Sequence, residues 1–157
     1  MKKETIQDFT VKITQSNRSQ LVVIIYELIQ ISLEEAEEYV QKGDMEQFKF
    51  VLSRAQGLIK ELMEALDFNY PISVELLQLY LFVNRKLLQA MIQKRTEPLT
   101  GLDKVIGNLK HAFEQVCKQD HSPPLMLNTQ KIYAGLTYEK SSLSEICSGD
   151  TNRGYQV

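Results

Sequence analysis

Apolar residues recur at alternating spacings of three and four along four long stretches of this chain, the period of helices that each bury one stripe. The first stretch, about Arg18 to Lys42, carries Val22, Tyr26, Ile29, Leu33, Ala36 and Val40 on one line. A second line of Leu21, Ile25 and Leu28 is apolar in the first half only, and Ile24 and Ile31 lie on a further flank. The remaining face, Val23, Glu27, Gln30, Glu34, Glu37 and Gln41, is nearly all polar. Four consecutive β-branched residues from Val22 to Ile25 favour a strand locally, but the stripe sustained through Val40 outweighs them. A helix this widely apolar at one end needs more than one neighbour to cover it.

The second stretch, 44–67, is the most regular: Met45, Phe48, Leu52, Ala55, Ile59, Leu62 and Leu66 form its line, with Val51, Leu58 and Ala65 as a parallel flank. The third, 73–95, has a core line of Leu76, Tyr80, Val83, Leu87 and Ala90. Leu79 and Phe82 fall on its otherwise polar side, and Leu81, Leu88 and Ile92 make another apolar flank. The fourth, 100–118, carries Leu102, Ile106, Leu109, Phe113 and Val116. Asn17 with Gln20 reads as a capping box, Gly43 as a stop, and Asp44 with Gln47, Ser73, and Thr100 with Asp103 as the following starts. The prediction is an all-α fold: an antiparallel up-down four-helix bundle over 17–119, with left-handed packing. Ahead of it, residues 1–16 place Phe9, Val11 and Ile13 in alternation with Thr10 and Lys12, which predicts an extended arm lying in a groove. Beyond Ser122-Pro-Pro124 the composition turns to Ser, Thr, Gly and Asn, predicting a flexible 120–157 tail. Within it, Ile132, Tyr133 and Leu136, then Leu143 and Ile146, are spaced to dock as short helical turns.

Composition narrows the function classes. The 157 residues suit one domain with a sizeable core, and 43% hydrophobic with 24% charged residues is ordinary for a soluble chain. A net charge of -2 and no Lys/Arg stripe argue against nucleic acid. Cys117 and Cys147 lack metal or redox spacing and read as reduced thiols of a cytoplasmic protein. Neither a targeting segment nor a membrane span is visible, the 21–33 run being short and interrupted by Glu27 and Gln30. Phosphate loops, nucleophile elbows and zinc helices are missing. His111 and His121 read as surface residues, and the Glu34–Glu38 acidic run, having no Glu-x-x-His partner, reads as a solvated face. The expectation is a non-enzyme with no metal and no cofactor. Tyr26 and Tyr80 belong to the core, where each hydroxyl needs a hydrogen-bond partner.

Several segments, in order, resemble a known family, the flagellin-specific export chaperones of bacterial flagella (the FliS type). Asn17-Arg18 followed by Ile25-Tyr26-Glu27 is similar to its capped first helix, and Ala55-Gln-Gly-Leu-Ile-Lys-Glu-Leu62 with Leu66-Asp67 to its second. Leu76, Leu79-Tyr80 and Phe82 match the third, and Ala112-Phe113 the end of the fourth. The resemblance covers about residues 9–117. Arg18 stands where the family has Pro, Leu28-Ile29 where it has small residues, and the tail has no counterpart in the pattern. The resemblance implies a cytoplasmic chaperone that binds the disordered C-terminal segment of flagellin, prevents premature polymerisation and delivers it to the export apparatus. Other flagellar regulators would be further partners, and the chaperone itself a monomer or weak homodimer.

A client that folds on binding wraps a large surface, so the bundle serving it needs apolar side chains outside its own core lines. Ile24, Ile31, Val51, Leu58, Leu79, Phe82, Leu88 and Ile92 are the candidates for partner binding. Phe9, Val11 and Ile13 are the candidates for an autoinhibitory arm that covers them in the free protein, and Ile132–Ile146 is the alternative cover. The competing reading is a structural or oligomerising bundle with no client, its surplus apolar surface being a self-interface.

Overall fold

A computed structural model describes residues 3–126, with side chains from Ile6 onward. The described chain is helical throughout: α1 (Lys3–Gln15), α2 (Arg18–Lys42), α3 (Met45–Glu64), α4 (Ile72–Gln93), a 3-10 turn (Glu97–Leu99) and α5 (Leu102–Cys117). Residues up to Leu125 form one compact unit, and a second unit begins at Met126. The readings made for Ile132–Ile146 and Cys147 lie outside the described residues.

The two helix ends that fix the circuit are set by local chemistry. Asn17 Oδ1 accepts from the Gln20 amide at 2.9 Å while Gln20 Oε1 accepts from the Asn17 amide at 3.0 Å, the reciprocal capping box predicted for the start of α2. At its far end Gly43 takes φ +74°, a left-handed conformation that costs a residue with a Cβ. The amides of Gly43 and Asp44 then reach Val40 O and Tyr39 O at 3.0 and 2.9 Å. Asp44 caps α3 by accepting from the Gln47 amide at 3.0 Å. Two residues of link therefore turn α3 back along α2.

Side-chain pairs fix the remaining directions. Gln30 of α2 donates to Asp103 at the start of α5 at 2.8 Å, while Asn17 at the start of α2 donates to Asp120 O just past its end. Ser53 and Gln56 of α3 meet Met91 and Asn84 of α4 in the same reversed order. The result is the antiparallel up-down bundle that the pattern predicts. Its core is built from the predicted lines, including Tyr26, Ile29, Leu33 and Ala36 of α2, Phe48, Leu52 and Ile59 of α3, Tyr80, Val83 and Leu87 of α4, and Leu102 and Ile106 of α5. Helix α2 packs directly on α1, α3 and α5, which answers its surplus apolar width.

Three local readings are corrected. The N-terminal arm is helix α1, not an extended segment. The alternation of Phe9, Val11 and Ile13 conceals a spacing of three and four through Ile6, Phe9 and Ile13. Phe9 is buried, Ile13 half-buried and Val11 exposed. Thr10 and Thr14 satisfy their hydroxyls within the helix by donating to the carbonyls of Ile6 and Val11, both at 2.8 Å. Ser73 does not cap α4, which starts at Ile72 without a side-chain cap; Ser73 is buried and donates to Asp67 O at 2.6 Å. Thr100 and Asp103 do not cap α5 either, since Gly101 occupies that position with φ +82° and Asp103 is used by Gln30. Part of the acidic run also proves structural. Arg54 lies against Glu35 at 2.6 Å and donates to Ser32 Oγ at 3.1 and 3.2 Å, so Glu35 is half-buried between α2 and α3.

Candidate functional site

The predicted partner residues separate into three groups. Val51 is 2% exposed and belongs to the packed core, so it presents nothing to a partner. Ile24 is buried beside α1, and Ile31 and Leu58 are half-buried. Leu79, Phe82, Leu88 and Ile92, all on α4, are exposed. Two surfaces result: a groove next to α1 and the outer side of α4.

The groove has a volume of about 440 Å³ and runs between α1, α2 and α5, with Lys12, Val23, Ile24, Glu27, Glu114 and Cys117 among its walls. A neighbouring hollow of about 240 Å³ includes Phe9, Ile31, Glu34 and Lys110. Helix α1 is fastened here lightly. Phe9 is its one buried apolar side chain, Lys12 lies 3.6 Å from Glu27, and Lys110 approaches the other Glu27 oxygen at 3.7 Å. The pair that Lys12, more than half exposed, makes with Glu27 contributes at most about 1 kcal/mol, and the Lys110 pair joins α5 to α2 without holding α1. Burial, with the Asp120 and Glu114 carboxylates nearby, pushes the Cys117 thiol up, away from the thiolate form.

The root of α1 is held more firmly. Ser16 and Asn17 are buried at the α1–α2 junction, and the segment after α5 straps across them. Asn17 Nδ2 donates to Asp120 O at 3.2 Å and Ser122 O at 3.4 Å, and the Leu125 amide donates to Ser16 O at 3.0 Å. The Asp120 carboxylate accepts from the hydroxyls of Ser122 and Ser19 and from the Ser122 amide. These donors, the Ser122 hydroxyl foremost, hold its pKa down at about 2. A depressed carboxylate stabilises the strap above the ordinary Asp range, and that contribution is lost as pH falls through about 2. An NMR titration of the Asp120 carboxyl carbon is expected to show this low midpoint; an ordinary Asp value would mean the hydroxyl contacts do not persist. Asn17→Ala removes the cap and both strap contacts and should cost about 1–2 kcal/mol in chemical denaturation; a cost of only a few tenths would show that neither the cap nor the strap contacts contribute.

On α4, Ile72, Val74 and Leu81 are exposed together with the predicted Leu79, Phe82, Leu88 and Ile92, and Phe50 of α3 is exposed as well. Val74 escaped the sequence reading, although it stands seven residues before Leu81 and fourteen before Leu88 on the same flank. Among the described residues no group of His, Cys, Asp and Glu is arranged to hold a metal ion, and no helix is long and apolar enough to cross a membrane.

Fold and surface together define an antiparallel helical bundle with apolar side chains exposed along α4 and, separately, a groove between α1, α2 and α5. The chain belongs to the family of the flagellar protein FliS, whose model matches residues 1–120. This is a flagellar export chaperone family and not an enzyme family, and flagellin is its implied client. No curated protein matches the chain.

Proposed function

We propose that this protein is a cytoplasmic export chaperone that binds the disordered C-terminal segment of flagellin, keeps the subunit from polymerising early and delivers it to the export apparatus. The observation that carries this reading is the run of exposed apolar side chains Leu79, Phe82, Leu88 and Ile92 on one well-packed helix, with a groove between α1, α2 and α5 that Ile24 helps to line. The client would lie on the α4 residues and on the accessible edges of Ile31 and Leu58, reaching Ile24 once α1 leaves. Val51 has no part in it, because core packing already occupies that side chain. Each 100 Å² of apolar surface removed from water would contribute about 2.5 kcal/mol before the ordering of the client is subtracted.

Calorimetry with the C-terminal segment of flagellin tests the reading. The expected result is one-to-one binding with a negative heat-capacity change, weakened by Phe82→Asp or Ile92→Asp. Absence of binding, in a chain that remains folded, rejects it. Concentration-dependent sedimentation separates this from a self-interface: a dimer dispersed by the same substitutions would favour an oligomerising bundle.

A further inference from the structure

Helices α1 and α2 are joined by Ser16 and Asn17 alone, since α1 ends at Gln15 and α2 begins at Arg18. The chain doubles back there. Asn17 is extended at ψ -179°, Lys12 comes to lie beside Glu27, and Phe9 shares a hollow with Ile31. Lifting α1 off the groove is therefore a rotation about these two residues.

Every polar group of this hinge has a partner, and the partners come from three parts of the chain. Ser16 is tied to α1, its amide and its hydroxyl donating to Ile13 O at 3.3 and 2.9 Å. The peptide group between Ser16 and Asn17 is held from both sides. Its N–H donates to Gln20 Oε1 of α2 at 3.0 Å, and its carbonyl accepts from the Leu125 amide at 3.0 Å. The Asn17 side chain extends the second tie by donating to Asp120 O and Ser122 O, and the Ser19 hydroxyl reaches the Asp120 carboxylate. Ser16 and Asn17 are 2% and 4% exposed beneath this strap. The bonds to Ile13 travel with α1, and the bond to Gln20 stays within α2. Only the strap comes from outside the two helices, and its residues 121–125 lie past the family match.

We infer that residues 120–125 are a latch on the α1 hinge: α1 swings off the groove only after the strap has left Ser16 and Asn17. Turning the torsions on either side of the Ser16–Asn17 peptide reorients its carbonyl and moves a buried Ser16. Both movements break the bond from Leu125 and leave a carbonyl unpaired unless the strap makes way for water. Once lifted, α1 is a 13-residue helix without a neighbour, which is marginal in water, so release of the latch shows as fraying of α1. The coupling runs in both directions. Whatever lifts α1 weakens the strap's hold on Ser16, and whatever draws the strap away raises the fraction of molecules with α1 open. The latch adds regulation to the groove of the chaperone reading, and it rests on that reading only where flagellin enters the test.

The test is amide hydrogen exchange on the full chain, comparing residues 9–15 of α1 with residues 48–62 of α3. Leu125→Pro deletes the one N–H that holds Ser16 O, whereas Leu125→Ala keeps that N–H and trims an exposed side chain. Leu125→Pro should speed α1 exchange by about threefold to tenfold, the factor that one lost hydrogen bond supplies, with α3 unchanged. Leu125→Ala should match the parent chain. Asp120→Ala, which frees Ser19 and Ser122 without touching a backbone donor, should act in the same direction as Leu125→Pro. Unchanged α1 exchange in Leu125→Pro and Asp120→Ala overturns the latch. So does an equal rise in α1 and α3, which would make the strap a general stabiliser, or an equal effect of Leu125→Ala. With the flagellin C-terminal segment at saturation, the Leu125 amide should lose protection together with α1; loss in α1 with Leu125 still protected also overturns the latch. If the segment does not bind, the client reading fails, and α1 exchange in the variants still decides the latch.

Discussion

Tyr26→Ala is expected to destabilise the bundle by about 3–5 kcal/mol, a large share of the 5–15 kcal/mol typical of a domain. Tyr26 is fully buried where α2, α4 and α5 meet. Its ring centroid lies 5.7 Å from that of Phe113, and its hydroxyl meets the Tyr80 hydroxyl at 2.5 Å. Truncation opens a cavity and also strands the Tyr80 oxygen. The two losses can be separated. Tyr26→Phe keeps the ring and removes only the bond, so it should cost about 1–3 kcal/mol through the stranded partner. Adding Tyr80→Phe removes that orphan and should restore most of the loss, giving a coupling of about 1 kcal/mol or more in a urea-denaturation cycle. Additive single costs would show that the pair contributes no specific interaction. Burial pushes both phenols above the ordinary tyrosine range. The stability this implies is complete below about pH 10 and declines as pH rises beyond it, because only the unfolded chain ionises there.

Deleting residues 1–15 is expected to tighten binding of the flagellin C-terminal segment by about tenfold to thirtyfold. The closed state of α1 is held chiefly by burial of Phe9, of order 2 kcal/mol, with little added by the Lys12–Glu27 pair. A client that needs the groove over Ile24 must first displace α1, so its apparent affinity is reduced by the fraction of molecules that are open. Removing the helix removes that handicap. Phe9→Ala should produce much of the same gain without shortening the chain, while Val11→Ala, on the solvent side of α1, should produce none. Binding that is unchanged or weaker in the deletion variant would show that α1 is no lid. The prediction carries over from an arm read as extended to the helix that is present, because Phe9 is buried in either case.

The bundle was legible because its signal is redundant. Every helix repeats the core spacing several times, so a misread residue such as a β-branched Val22 does not move the line. The caps of α2 and α3 were legible because Asn17 and Asp44 act on amides a few residues away. Ser73, Thr100 and Asp103 misled for a different reason: each has the right chemistry for a cap, but the Ser73 hydroxyl is turned back to Asp67 O in the preceding turn and Asp103 is claimed by Gln30, distant in sequence. Helix α1 was missed because a short amphipathic segment with three apolar residues fits periods of two and of three to four almost equally well. Within the candidate site, the exposure of Leu79, Phe82, Leu88 and Ile92 follows from their angular distance to the α4 core line. Val51 sits on a comparable flank of α3 but faces the interior, an outcome that depends on how neighbouring helices are rotated and not on its own helix.

The strap over Ser16 and Asn17 joins places a hundred positions apart in the sequence. The chain leaves α5 and crosses the base of α1 before it reaches Met126, so the root of the first helix and the segment after the last are held by one set of bonds. A cut made near Pro124 would therefore loosen the base of α1.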